Sequence, residues 1–237
     1  MMKKISIVIP AYNEEKNISP LIEELEKVLK NIGDNYEVIF VDDGSTDNTL
    51  KVIKEVSQRN NKIKYISFSS NKGQSAALAA GFIYAQGEII VTMDSDLQNN
   101  PWDMIKMLEY YGEYDMVIGW RHKRADDLWK RFGSKVGNIT RNLLLGENIN
   151  DTGCSLKIMK AEIIKRIKMF NGLHRFLPTL MRLEGAKIKE IKVDHRPRRS
   201  GKSKYGNISR AISGLADIFV VRWMIKRYIK IDANVKI

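Results

Sequence analysis

Two aspartates separated by one residue, Asp94 and Asp96, follow directly on an apolar stretch of the sequence. Alternate side chains of an extended segment point the same way, so both carboxylates can converge on one cation. Gln98 adds an amide oxygen, and hard oxygen ligands of this kind suit Mg²⁺ or Mn²⁺ while leaving positions for phosphate oxygens. A D-x-D triplet is also common in solvated turns. Its place at the end of a predicted central strand, where open α/β sheets bind ligands, favours a metal site.

A second acidic segment, residues 41–47, ends another apolar run with Asp42, Asp43 and a glycine turn. Two interpretations are compatible. The acids can contact a ligand at the end of a strand, and they can also favour the N-terminus of the helix that follows, because the helix dipole stabilises negative charge there.

The elements that must position these residues alternate along the first half of the chain. Short apolar runs and amphipathic stretches of helix length predict βαβ units and a mainly parallel sheet in one α/β domain. Helices are predicted over 18–29 and 49–56 and from Ser75 onward, where a helix N-terminus beside Gly73 can bind an anion. The predicted strands cover residues 5–9, 37–41, 63–67, 88–93 and 116–118.

Length and composition restrict the class of protein. A chain of 237 residues can bury one substantial core. Its single cysteine, Cys154, excludes an intramolecular disulfide and a multi-cysteine zinc site and favours a reducing compartment. The three histidines have no metal-ligand spacing, and the apolar run at the N-terminus is too short for a signal peptide.

The formal net charge of +12 is concentrated at the end of the chain. Residues 186–237 hold fourteen basic and four acidic residues, a net of +10, which favours phosphates or an anionic membrane. Within this region, residues 208–231 are rich in apolar residues but lack the roughly 18 uninterrupted ones of a spanning helix. The segment predicts either an amphipathic helix at a membrane interface or a helix packed on the domain's own core.

Three motifs resemble, in order and spacing, the family 2 glycosyltransferases with the GT-A fold. They are residues 7–15 (IVIPAYNEE), 41–45 (VDDGS) and 94–98 (DSDLQ). The chain is also similar to the dolichyl-phosphate mannose synthase and polyprenyl-phosphate glycosyltransferase branch of that family, and this resemblance covers nearly the whole chain. It is carried by residues 119–121 (GWR), 151–154 (DTGC), 174–178 (HRFLP) and 198–205 (RRSGKSKY).

The resemblance implies an architecture. Residues 1–206 would form a GT-A, Rossmann-like catalytic domain with helices on both sides of a mainly parallel sheet. Its nucleotide-sugar half would cover 1–120, and its acceptor half, with a basic loop, would cover 121–206. Residues 207–237 would form basic, amphipathic helices at a membrane interface.

It also implies roles for individual residues. Metal binding would fall to Asp94, Asp96 and Gln98. Catalysis would involve Asp96, Asp151, Arg198 and Lys204. The lipid phosphate would contact Arg121, Arg131, Ser134 and Lys135. The remaining role, donor binding, would fall to Pro10, Ala11, Tyr12, Glu14, Asp42, Asp43, Gly73, Asp94 and Ser203.

The expected reaction is the inverting transfer of a hexose, of the mannose or glucose type, from a GDP- or UDP-sugar to dolichyl or undecaprenyl phosphate. Mg²⁺ or Mn²⁺ is the expected cofactor, and the cytoplasmic face of a membrane is the expected location, with peripheral attachment.

The role of Asp151 depends on the acceptor. A lipid phosphate is already anionic and needs no general base, so Asp151 is expected to position the sugar or a cation by hydrogen bonding. A hydroxyl acceptor in polysaccharide or glycolipid assembly, the alternative reaction, would require Asp151 as a base.

The expected partners are the donor, the lipid and an anionic membrane surface. A membrane protein and a second copy of the chain are further possible partners.

Sugar-phosphate nucleotidyltransferases are a rival class. They begin with a glycine-rich loop after the first strand, where this chain has residues 10–14 (PAYNE). The basic end of the chain suggests a nucleic-acid-binding module. The acidic strand ends argue against nucleic acid.

Overall fold

Each apolar run of the first 120 residues forms a strand, and the amphipathic stretches between them form helices. The computed structural model describes residues 3–122, 128–197 and 207–229, with the side chains of 128–136 and 207–213 left out of the description. The strands of the sheet are β1 (Ile5–Ala11), β2 (Tyr36–Asp42), β3 (Ile63–Ser67), β4 (Ile89–Thr92), β5 (Met116–Trp120), β6 (Lys157–Lys160) and β7 (Ile188–Lys192).

The sheet order is β3-β2-β1-β4-β6-β5-β7. Strands β1 to β4 are parallel to one another, as the βαβ pattern predicts. Strand β6 is antiparallel to β4 and β5, between which it lies, and β7 is parallel to β5. The strands β6 and β7 are absent from the sequence-based prediction, because their apolar runs are short and interrupted by lysines.

Helices connect the strands and cover the sheet. The amphipathic pattern predicts α1 and α2 correctly, and the structure extends both by about a turn. The helices are α1 (Glu15–Ile32), α2 (Thr49–Arg59), α3 (Gln74–Tyr84), α4 (Asp103–Leu108), α5 (Leu128–Leu145), α6 (Ala161–Ile164), α7 (Leu177–Leu183) and α8 (Asn207–Arg227), with a 3₁₀ turn at Leu173–Arg175.

The core lies on both faces of the sheet. Along β1, Ile7 and Ile9 pack with α1 on one face, and Val8 packs with α3 on the other. Helix α3 approaches the sheet closely at Gly81, where an added Cβ would lie 2.2 Å from Cγ1 of Val8. The small residues of α3 therefore permit the contact that its sequence predicts.

Candidate active site

Those predicted functional residues whose side chains the structure describes lie along one edge of the sheet. This edge is formed by the carboxyl ends of β1, β2, β4, β5 and β7, together with the loop 151–156 that enters the antiparallel strand β6. Ligands bind at this edge in open α/β sheets, because the loops diverge there and leave a crevice.

The acidic pair follows β4. Asp96 is 7% exposed, and its Oδ1 accepts a hydrogen bond from the amide of Gln98 at 3.2 Å. Asp94 Oδ1 accepts one from Nε2 of Gln74, at the start of α3, at 2.9 Å. Burial, and secondly the nearby charge of Asp96, raise the pKa of Asp94 to about 6.

The backbone of this loop is strained. Leu97, between Asp96 and Gln98, has a φ of 63°, in the left-handed region that costs a non-glycine residue roughly 1–2 kcal/mol. The Leu97 side chain is buried in the core, and this burial offsets the strain. The loop therefore presents both aspartates at the sheet edge while Leu97 anchors it.

The residues fit a divalent cation. Two close carboxylates, one with a raised pKa, disfavour full ionisation unless a positive charge lies near them. The described part of the chain has no cluster of three or more His, Cys, Asp and Glu side chains suited to a metal. Asp94, Asp96 and Gln98 would thus supply part of a coordination sphere of hard oxygen ligands, which phosphate oxygens of a donor would complete.

The segment after β7 runs beside residues 94–99, which hold the expected metal ligands and are named the metal-binding loop for that expectation. Asn99 and His195 form an isolated antiparallel bridge, and the amide of Arg196 donates to the carbonyl of Gln98 at 2.9 Å. The Arg196 guanidinium in turn makes two bonds with Glu24 of α1, at 2.8 and 2.7 Å. Residues 195 and 196 therefore lie beside the loop that carries the acidic pair.

A buried carboxylate at the end of β2 lacks a complete set of partners. Asp42 is 1% exposed, and its Oδ2 accepts a bond from Ser67 at 3.4 Å. Its Oδ1 is buried without a hydrogen-bond partner. An unpaired buried acceptor is costly, so this oxygen is suited to an N–H or O–H donor from a ligand.

Asp43, the next residue, has a structural role in the loop before α3. Its two carboxylate oxygens accept bonds from the amides of Lys72 and Gly73 and from Nδ2 of Asn71, at 2.7 to 3.2 Å. The turn after it requires glycine, because Gly44 has a φ of 70° and an added Cβ would lie 2.4 Å from the backbone of Ser70. Asp43 thus holds the 71–73 segment against the end of β2.

The end of β1 and the segment after it lie beside the acidic pair. Pro10 accepts a bond from the Ser95 hydroxyl at 3.0 Å through its carbonyl, so β1 and the metal-binding loop are directly linked. Glu14 is 8% exposed and accepts a bond from Asn17 at 2.5 Å. Ala11 is buried, and Tyr12, which follows it, is partly buried.

A cation and a carboxylate form a close pair beyond β5. Arg121 donates from Nε and Nη2 to the two oxygens of Asp151, at 2.7 and 2.9 Å. Burial lowers the pKa of Arg121, but its bonds to Asp151 outweigh this effect and the net direction is upward. The amide of Asp151 donates to Glu190 of β7 at 3.0 Å, so both members of the pair are fixed in position.

The structure therefore brings together most of the residues expected to act at the site. Arg198, Ser203 and Lys204 lie outside the described residues, and the side chains of Arg131, Ser134 and Lys135 of α5 are also outside the description. The roles of all the expected site residues stay predictions.

Several residues at the edge were missed by the sequence analysis. Gln74 bonds to Asp94, and Ser155 donates to Oδ1 of Asn99 at 2.7 Å, which links the loop of Asp151 to the metal-binding loop. Lys157 of β6 is only 4% exposed. The signal for Lys157 is present in the sequence, as a lysine between Leu156 and Ile158 in an apolar run.

Comparisons with known proteins agree with this geometry. The family model described as glycosyl transferase family 2 matches residues 6–168. The chain is 37% identical over 229 residues to the dodecaprenyl-phosphate galacturonate synthase of Rhizobium johnstonii (strain DSM 114642 / LMG 32736 / 3841). That match covers 94% of this chain and 68% of the relative.

Solved structures share the fold. Glucosyl-3-phosphoglycerate synthase from Mycobacterium tuberculosis, in complex with phosphoglyceric acid, superimposes with a TM-score of 0.69 at 18% identity, over 96% of this chain and 81% of that one. The same enzyme with Mn²⁺, uridine diphosphate and glucosyl-3-phosphoglycerate has a TM-score of 0.69 at 17% identity, over 99% and 83% of the two chains. The GT-A fold expected from the sequence is confirmed, and the chain belongs to glycosyl transferase family 2.

Proposed function

We propose that this glycosyltransferase moves a hexose from a GDP- or UDP-sugar to a polyprenyl phosphate, with inversion and with a divalent cation. The observation that carries the proposal is the placement of an acidic pair and a fixed arginine on the same sheet edge. Asp94 and Asp96 follow β4, and Arg121 follows the parallel strand β5, with β6 between them. The similarity to a dodecaprenyl-phosphate galacturonate synthase supports the acceptor class.

On the donor side, Asp42 is proposed to receive an N–H of the base or an O–H of the ribose through its unpaired Oδ1. Asp43 keeps the 71–73 loop against the pocket. A divalent ion held by Asp94, Asp96 and Gln98 would neutralise charge on the leaving nucleoside diphosphate. Arg198, Ser203 and Lys204 are proposed to contact the same diphosphate.

On the acceptor side, Arg121 is proposed to orient the lipid phosphate, together with Arg131, Ser134 and Lys135. Two of its nitrogens are engaged by Asp151, so the guanidinium plane is fixed before a ligand arrives. The phosphate is anionic at neutral pH and can attack the sugar without a base. We therefore infer that Asp151 positions Arg121, because a carboxylate paired in this way is poorly suited to accept a proton.

Attachment to the membrane is proposed to involve α8. Its Leu215, Phe219 and Trp223 follow one another at four-residue spacing and are 48%, 63% and 63% exposed. Exposed Lys226 and Arg227 end the helix and suit anionic headgroups. In the part of the chain that the structure describes, no helix has the length and apolar character to cross a membrane.

The test is sugar transfer to undecaprenyl phosphate in detergent, with Mg²⁺ or Mn²⁺, against a panel of GDP- and UDP-sugars that includes a UDP-uronate. We expect a metal-dependent glycolipid from one donor. Asp96→Asn should lower kcat by roughly 10²-fold or more, because charge on the leaving group loses its stabilisation.

The matched control is Asp34→Asn, whose aspartate is fully exposed at a distance from the site and should leave kcat unchanged. Transfer to hydroxyl acceptors with none to the lipid phosphate would contradict the proposed acceptor. Full activity of Asp96→Asn, or of the wild type in a chelator, would contradict the metal assignment.

A further inference from the structure

A lysine is buried directly beneath the proposed active site. Lys157 opens β6 and is 4% exposed, and its ammonium donates to the carbonyl of Cys154. Among the lysines whose side chains the structure describes, Lys157 is the only one that is buried. A buried ammonium is costly unless negative groups compensate it, so its surroundings should explain its presence.

The strand register places Lys157 between the two halves of the site. It pairs with Thr92 of β4 and with Ile118 of β5. Thr92 precedes Asp94 by two residues, and Ile118 precedes Arg121 by three. The loop that receives the ammonium is itself bonded to β4, because Thr92 Oγ1 donates to the carbonyl of Ser155 at 2.6 Å.

The compensating charges belong to the site. Burial lowers the pKa of Lys157, and negative groups around it, Asp151 and Asp94 among them, oppose that effect. Two carboxylates of the site, on Asp94 and Asp151, thus lie near two cations, on Arg121 and Lys157, and Asp96 lies beside Asp94. Both cations are held in place. Arg121 makes two hydrogen bonds to Asp151, and Lys157 belongs to β6, which lies inside the sheet.

We propose that Lys157 is an internal counter-charge that stabilises the acidic pair without metal and makes tight metal binding depend on the donor diphosphate. This inference rests on the proposed metal-dependent function. A fixed positive charge near the aspartates repels an incoming divalent cation. The diphosphate brings negative charge and oxygen ligands with it, and so restores the attraction. The metal and the nucleoside diphosphate can then bind and leave together.

The first measurement is the affinity of the protein for Mn²⁺ alone at a pH above 7. The electron paramagnetic resonance signal of free Mn²⁺ serves as the readout. The variants are Lys157→Met, which removes charge and donor, and Lys157→Gln, which removes the charge and keeps an N–H for Cys154. Both should bind Mn²⁺ on the order of tenfold more tightly than the wild type. If Lys157 had a purely structural role, both variants would bind Mn²⁺ more weakly than the wild type, because loss of the lysine would disorder the metal ligands.

The matched control is Lys165→Met. Lys165 also donates its ammonium to a backbone carbonyl, that of Ala85, but it follows α6 outside the site. The substitution Lys165→Met removes the same formal charge from the chain as Lys157→Met, and it should leave the affinity for Mn²⁺ unchanged. If Lys157→Met fails to fold, Lys157→Gln carries the measurement, since it retains the bonded contact.

The second measurement adds inorganic pyrophosphate. In the wild type it should strengthen Mn²⁺ binding strongly, beyond the Mn²⁺ that pyrophosphate complexes in a protein-free titration. In both Lys157 variants this coupling should shrink by about tenfold, because the metal already binds well alone. Unchanged or weaker Mn²⁺ binding in both variants would overturn the inference. A wild type that binds no Mn²⁺ even with pyrophosphate would overturn the metal-dependent function itself.

Discussion

Asp94, a proposed metal ligand, shows at the scale of one residue how a buried carboxyl group reduces stability. Its carboxyl group has a pKa of about 6 in the fold, first because it is buried and second because Asp96 is near. The ordinary value is 3.8, so ionisation is less favourable in the folded chain than in the unfolded one. The contribution of this group to stability is complete below pH 3.8 and is lost as the pH rises through about 6.

The variant Asp94→Asn should therefore stabilise the metal-free protein at neutral pH. Its free energy of unfolding should exceed that of the wild type by roughly 2–3 kcal/mol above pH 7, and the difference should vanish near pH 4. Urea unfolding in a chelator across this range measures it. Asp34→Asn, at an exposed position, should show no such pH-dependent gain, and a difference that is constant with pH would contradict the assignment to Asp94.

Helix α8 shows at the scale of an element that packing on the domain's own core does not exclude a membrane-facing side on the same helix. Its Ile218 and Val221 are buried and pack with Leu173 of the 3₁₀ turn and with Leu180 of α7. Its opposite face exposes Phe219 and Trp223. The helix is therefore packed on the domain, and the face that remains exposed is the one proposed for the membrane.

This helix is also close to the site through the 3₁₀ turn. His174 Nδ1 and the Ser75 hydroxyl of α3 are 2.7 Å apart, and Gly172 donates its amide to the same hydroxyl at 3.1 Å. An added Cβ on Gly172 would lie 2.4 Å from a carboxylate oxygen of Asp217 in α8. Residues 172–174 therefore separate α8, the proposed membrane helix, from the N-terminus of α3, where Gln74 lies.

The combined change Phe219→Ser and Trp223→Ser should weaken binding to anionic phospholipid vesicles by about tenfold or more, because exposed aromatic area is lost from the interface. Sedimentation with vesicles measures it, and thermal unfolding should be nearly unchanged. The control Val221→Ala should behave in the opposite way, losing roughly 1–3 kcal/mol of stability through a core cavity while vesicle binding persists. Undiminished vesicle binding by the double variant would contradict the role of this face.

At the scale of the whole molecule, the expected nucleotide-sugar half (1–120) and acceptor half (121–206) share one sheet. Strands β6 and β7 of the second half pair with β4 and β5 of the first. One core cluster also contains Ile7 and Phe40 from the first half and Ile158 from the second. The described parts of these halves are therefore expected to unfold together, in one cooperative transition.

A change at Gly81 in the first half tests this expectation, because two of the four tryptophans, Trp129 and Trp223, lie outside that half. Gly81→Ala should destabilise by about 1–3 kcal/mol, since its Cβ would meet the buried Val8. Tryptophan fluorescence and circular dichroism should report the same lowered midpoint in urea. The control Gly137→Ala, in α5, meets nothing within 4 Å and should be neutral or stabilising. Separate midpoints for the two probes would show that the halves unfold independently.

The sequence by itself determined the strands β1 to β5, the helices between the first of them, and the family. Strand–helix alternation predicts β1 to β5 because each is a short apolar run next to a stretch of helix length or a turn. The motifs at 7–15, 41–45 and 94–98 identify family 2 glycosyltransferases. The acidic pair at Asp94 and Asp96 could be placed at a strand end for the same reason. These features depend on residues that are close together in the chain.

Only the tertiary structure decided which distant residues meet. The bidentate pair of Arg121 and Asp151 joins residues 30 positions apart, and the insertion of β6 between β4 and β5 brings Lys157 beneath both halves of the site. Neither fact follows from periodicity, because strand order depends on how whole elements pack. Charge partners across a sheet are a property of that packing, and they set the electrostatic character of this site.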